Sequence, residues 1–246
     1  MVWSSENGST RVCRLFAPIL LLVMMTALQP AKAAGTPKSA TEVLAAAKAA
    51  TGGAAWDRIS GWHERGRHGE VAYETLLDFR GYGTRFSSTN GGATRVRGFN
   101  GAVAWDRGPD GKVVVSRDAA RLSDARQSAY GSTFAFFFPQ RFPAKFDYLG
   151  AHTQEGATFD VVKVTPIGAT PMEIWIDRST HLVARFVDRS GPKPVTAILS
   201  DYRSVGGIRQ PFRIEVSDGD PAHSQTGEVE SVVLEPAARR EFDPPL

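Results

Sequence analysis

Side chains able to do chemistry are scattered through this chain, and their spacing decides what they could do. The five histidines, His63, His68, His152, His181 and His223, fall in separate segments. None forms the His-Glu-x-x-His pair that puts two metal ligands on one helical face. His63 and His68 are an odd number of residues apart, so on a regular strand they point to opposite faces. Asp218-Gly219-Asp220 resembles the start of a calcium loop, but the remaining ligand positions are missing, and a turn accounts for it. No metal site is expected.

Covalent and acid–base catalysis find no better footing. The Gly-x-Ser-x-Gly elbow that presents a nucleophilic serine is absent. So are the glycine-rich loops that cradle phosphates. Asp188-Arg189-Ser190-Gly191 does not match the Asp-Thr/Ser-Gly loop of aspartic proteases. Carboxylates for glycoside hydrolysis could converge from distant strands, yet no pair stands out. The expectation is a chain without catalytic residues or cofactors, and so not an enzyme.

Composition sets the class. A hydrophobic fraction of 42% with 22% charged residues is that of an ordinary globular protein. At the N-terminus, Arg11 and Arg14 precede an apolar run from Leu15 to Leu28, and Ala31-Lys32-Ala33 follows. That order of basic, apolar and small-residue regions is a signal peptide over 1–33, cleaved after Ala33. The run is too short for the roughly 20 residues of a membrane-spanning helix, so no stable span is expected after cleavage. Cys13 lies before the run, whereas a lipidated bacterial cysteine follows it. The expected product is a soluble periplasmic domain over 34–246 with no thiol for metal, catalysis or a disulfide. Cleavage also removes Arg11, Arg14, Lys32 and Glu6. The 29 basic and 26 acidic residues become 26 and 25, a net charge of +1, with no basic run to hold nucleic acid.

The elements follow from periodicity. ATEVLAAAKAA over 40–50 carries Val43, Leu44 and Ala47 at helical spacing, and Thr51-Gly52-Gly53 stops it. Strand periodicity then dominates, over 59–68, 71–80, 85–89, 94–99, 102–106, 112–116, 146–149, 159–165, 172–177, 182–188, 195–202, 212–216 and 228–234. Asn90-Gly91, Asn100-Gly101, Asp110-Gly111, Gly206-Gly207 and Asp218-Gly219 sit between runs as hairpin turns, so consecutive strands are expected to pair antiparallel. The pattern breaks once, at a helical segment over 117–130 that presents Leu122, Ala125 and Ala129 on one face and leads into Phe134-Ala135-Phe136-Phe137-Phe138. The end of the chain, 242–246, reads as a loosely held tail.

Three stretches together carry a resemblance. They are Gly98-Phe99-Asn100-Gly101 leading to Trp105-Asp106, then Ile174-Trp175-Ile176-Asp177 followed by Thr180, Leu182, Val183 and Arg185, and finally Asp201-Tyr202-Arg203 running through Gly207 to Pro211-Phe212. In that order the chain resembles the bacterial outer-membrane lipoprotein-sorting proteins of the LolA/LolB-like superfamily over roughly 40–235. The residues also have a plain physical reading. Ile174 and Ile176 share one strand face, and Asp177 ends the strand in a turn.

The resemblance implies a mostly β, α+β fold: a single antiparallel sheet curled into an incomplete half-barrel, with about two helices packed in its mouth and an apolar cavity between them. In that family the cavity receives lipoprotein acyl chains. Here the ligand-binding lining is expected to include Trp62, Leu77, Phe79, Phe86, Trp105, Phe134 and Phe137. Arg65, Arg67, Arg80 and Arg85 all remain candidates for the arginine that handles cargo. The function implied is an exported periplasmic binding protein that sequesters a lipid, acyl chain or other apolar ligand. The alternative is an envelope structural or stress-sensing module of the same fold that binds a protein partner without a ligand.

Overall fold

The computed structural model describes residues 39–245, so the signal-peptide reading over 1–33 lies outside the described residues. The chain opens on helix α1, Ala40–Ala50, where the Ser39 side chain caps the Glu42 amide and Val43, Leu44 and Ala47 are buried. Thr51 ends it. Its hydroxyl donates back to the Ala47 carbonyl at 2.8 Å and accepts from the Trp56 indole at 3.0 Å, within the 3-10 turn Gly53–Arg58.

Thirteen strands follow in one antiparallel sheet. The first meander is β1 (Gly61–His68), β2 (Val71–Asp78), β3 (Gly83–Asn90), β4 (Ala93–Asn100), β5 (Ala104–Arg107) and β6 (Val113–Ser116). The second is β7 (Ala144–Gln154), β8 (Ala157–Pro166), β9 (Met172–Asp177), β10 (Val183–Asp188), β11 (Val195–Val205), β12 (Ile208–Ser217) and β13 (Gln225–Val233). Within each meander every strand pairs with its sequence neighbour, and β13 pairs with β1. The spatial order therefore runs from β6 through β1 and β13 to β7, and the two end strands do not pair. This is an open, curled sheet, as the resemblance implies.

Between the edge strands β6 and β7 the chain passes through helix α2, Ala119–Ser132, which the Asp118 carboxylate caps by accepting from the Ala120 and Arg121 amides. Leu122, Ala125 and Ala129 of α2 pack on Phe99 and Ala104 of the first meander. Arg126 ties the meanders together, donating to the Gly101 carbonyl at 3.2 Å and the Ile167 carbonyl at 3.4 Å. The phenylalanine run after α2 joins α1 and Trp56 in one core against Val162, Val164, Ile174 and Ile176 of the second meander. Trp175 points the other way, into a small outer cluster with Phe159, Val161 and Val187, which is the alternation expected of this strand.

The end of the chain differs from the sequence expectation. After β13 it crosses the outer face of the first meander and ends in a 3-10 turn, Arg239–Phe242, with Phe242 1% exposed. Glycine makes the lane: a Cβ at Gly83 would lie 2.7 Å from the Phe242 ring. The Trp105 indole donates to the Phe242 carbonyl at 2.8 Å, and Asn100 donates to the Asp243 carboxylate at 2.7 Å. The tail is thus a docked element. Phe242→Ala is expected to lower unfolding free energy in urea by about 3 kcal/mol, as for other buried rings; a loss near zero would show that the docking contributes nothing.

Candidate functional site

A cavity of about 430 Å³ lies between the inner face of the sheet and α2, within the roughly 300–1,000 Å³ of ordinary ligand sites. Strand alternation builds its walls. Trp62, Glu64 and His68 project from one face of β1, opposite Leu77, Thr75 and Val71 of β2. Phe86 of β3 continues that wall, and Phe186, Leu199 and Ile214 form the facing one. The helix leaves the space empty because three of the four residues it turns to the cavity are small, Ser128, Gly131 and Ser132, while the fourth, Gln127, is drawn aside by donating to the Pro171 carbonyl at 3.2 Å. A Cβ at Gly131 would meet Met172 at an ordinary 3.6 Å. Exposed Val195, together with exposed Ser128 and Ser132, marks where the cavity reaches the surface.

Phe134 links this space to the core. It holds a left-handed backbone with φ 48°, costly for a bulky side chain. Its ring is clasped by Trp56 at 5.4 Å, Phe136 at 5.6 Å and Phe186 at 5.9 Å, contacts that over-determine the strained turn.

Polar groups are few, and they are placed. The Glu64 carboxylate accepts from the Tyr73 hydroxyl at 3.0 Å and from the Trp62 indole at 3.2 Å. Desolvation raises the Glu64 pKa above the ordinary carboxylate range, against the downward pull of those two hydrogen bonds. Burial and the adjacent Glu64 push the Tyr73 phenol up, and burial pushes His68 down toward its neutral form. Gln210 of β12 is 1% exposed, lines the cavity, and has no protein partner for either its amide nitrogen or its amide oxygen.

A raised carboxyl pKa means the folded state binds the Glu64 proton more tightly than the unfolded chain. Its contribution is then most favourable below the unfolded value and is lost as pH rises through the folded value. Glu64→Gln removes that loss. Its stability relative to the parent is expected to grow from the acid range to neutrality, read from denaturant midpoints across pH; a flat difference would mean that Glu64 is not desolvated.

Of the seven side chains expected to line the cavity, Trp62, Leu77, Phe86 and Phe134 do so. Phe79 is fully buried in the core, between Trp56, Trp62 and Phe138, and Phe137 packs edge-on against Trp56 at 5.3 Å; neither faces the space. Trp105 is on the opposite face of the sheet, because its cross-strand partner is Gly98 and the inner positions of that hairpin are Phe99 and Ala104. None of Arg65, Arg67, Arg80 and Arg85 lines the cavity. Arg65 pairs with Glu74, and Arg67 donates to the Gly69 and Glu70 carbonyls. Sequence reasoning passed over Glu64, Tyr73 and Gln210. For Glu64 the signal was present, two residues after Trp62 on the same strand face. Asp218 and Asp220 make the expected turn, accepting from the Asp220 and Ala222 amides. Among the described residues no group of three or more His, Cys, Asp or Glu is placed to hold a metal ion, and no helix is long and apolar enough to cross a membrane.

No protein-family model matches this sequence, and no curated protein matches it. Solved structures do. A LolA superfamily protein from Nitrosomonas europaea overlays with a TM-score of 0.56 at 13% identity, covering 84% of this chain and 98% of that one. A DUF1329 family protein from Desulfovibrio piger overlays with a TM-score of 0.54 at 10% identity, covering 83% of this chain and 95% of that one. At such identities the likeness concerns architecture. With its open antiparallel sheet and the helices on its inner face, the chain has a LolA-like fold.

Proposed function

We propose that this chain is an exported binding protein of the bacterial envelope that takes the apolar part of a lipid or acyl chain into the cavity between the sheet and α2. The observation that carries this reading is the space itself: aromatic and aliphatic side chains wall much of it, while α2, which could fill it, presents mainly the small residues Ser128, Gly131 and Ser132 beside Gln127. A protein interior without a ligand closes such space with side chains, since packing density in cores approaches that of organic crystals. The likeness to a LolA superfamily structure supports the same reading. Periplasmic location is part of the proposal and rests on the basic, apolar and small-residue order over 11–33.

The test is to purify the processed protein without detergent, extract it with organic solvent, and identify bound lipid by mass spectrometry beside a control protein prepared identically. A stoichiometric lipid is expected. A clean extract from a folded sample would overturn the proposal and favour a module of the same fold that binds a protein partner.

A further inference from the structure

The polar groups in the cavity constrain what the apolar ligand can carry. Resting on the binding function proposed above, we infer that the cavity selects an uncharged amphiphile, an apolar chain ending in a hydroxyl or amide group that pairs with Gln210, and rejects anionic head groups.

Charge supplies the first half of the case. No Lys or Arg lines the cavity, and its titratable lining is Glu64, His68, Tyr73 and Asp188. Burial favours the neutral form of His68. Arg85, Arg97 and Arg121 lie along the adjoining groove beside α2; Arg97 and Arg121 pair with Asp106, at 3.5 and 2.7 Å, and Arg85 stands at an outward-facing position of β3, opposite Gly98. A carboxylate or phosphate in the cavity would therefore meet the Glu64 carboxylate with no cation to offset it, where low dielectric strengthens repulsion and desolvation opposes entry.

Hydrogen bonding supplies the second half. Gln210 offers two N–H donors and a carbonyl acceptor, all buried and all without a protein partner. Unsatisfied buried groups of this kind are rare in native structures, and each costs about 1–3 kcal/mol until met. A hydroxyl or primary amide both donates and accepts, so it satisfies both ends of the Gln210 amide. A carboxylate only accepts. It leaves the Gln210 oxygen unmet and adds a charge beside Glu64.

The test uses the fluorescent apolar probe N-phenylnaphthylamine on the processed protein, displaced by dodecanamide, dodecanol or dodecanoate at mildly alkaline pH, where dodecanoate is ionised. The three share one chain length and differ at the polar end. The amide and the alcohol are expected to displace the probe at concentrations about tenfold lower than dodecanoate does, the worth of one buried hydrogen bond. Gln210→Leu should erase that advantage, read as the ratio of displacing concentrations within the one variant, and Glu64→Gln should improve dodecanoate alone. Dodecanoate binding as well as the amide, or a ranking that survives Gln210→Leu, would overturn the inference while leaving the apolar site standing. No probe binding by the folded parent would overturn both. The ranking on the parent decides the matter even if the leucine variant does not fold.

Discussion

Trp56→Ala is expected to lower the unfolding free energy by about 4 kcal/mol and the thermal midpoint by roughly 10 °C. Trp56 is fully buried and belongs to a short turn with few contacts of its own, so its side chain carries the attachment. Phe134, Phe137 and Phe138 surround its ring at 5.4, 5.3 and 6.5 Å, and its indole N–H caps the Thr51 hydroxyl at the end of α1. One residue thus pins both the first helix and the strained turn at Phe134 to the sheet. Trp56→Phe keeps most of the ring and loses the hydrogen bond; its cost should be nearer 1–2 kcal/mol. Chemical denaturation followed by circular dichroism distinguishes the two. An alanine variant within about 1 kcal/mol of the parent would mean that the aromatic cluster is redundant with the sheet.

Ala197→Trp is expected to weaken N-phenylnaphthylamine binding about a hundredfold or more while leaving stability close to that of the parent. Ala197 is on the cavity wall, near the start of β11 and opposite Val216 of β12. Tryptophan suits a strand, and its ring would enter existing space rather than displace packed neighbours. That combination separates a cavity from a core. In a filled interior the same change would overpack and destabilise by about 1–3 kcal/mol. The discriminating result is therefore the pair of measurements on one variant: binding lost with the thermal midpoint kept supports an open site, and a large fall in the midpoint argues against one.

The sheet was legible in the sequence because its strands alternate and its hairpins are marked by Asn-Gly, Asp-Gly and Gly-Gly pairs. Each expected strand is present, although β7 runs to Gln154 where the apolar alternation ends at Leu149; the extra residues are held by pairing with β8 through Ala157. The helix after β6 was legible from its composition, and α1 from its spacing. What alternation could not supply was the phase between strands across irregular loops. Trp105 illustrates the failure. The loop after Asn100 shifts which residue of β5 meets the inner face, and only the pairing of Trp105 with Gly98 shows that it faces outward. The docked tail was illegible for a similar reason, since Phe242 among Pro244 and Pro245 reads as a frayed end until Gly83 is seen to leave room for its ring. Gln210 carries no local signal either. It is ordinary as a strand residue, and becomes informative only when the cavity buries it without a partner.

The strand order has a kinetic consequence. Every pairing in the sheet joins consecutive strands except that of β1 with β13, where His63 meets Val233 from the far end of the described chain. Eleven of the twelve ladders can therefore form by closing short hairpins, each fast and local. The twelfth requires two separately formed halves to meet across the whole length between them. Its entropic cost grows only with the logarithm of that length, yet it is met in a single event. Refolding of this chain is accordingly expected to be limited by one encounter, at the seam of β1 and β13.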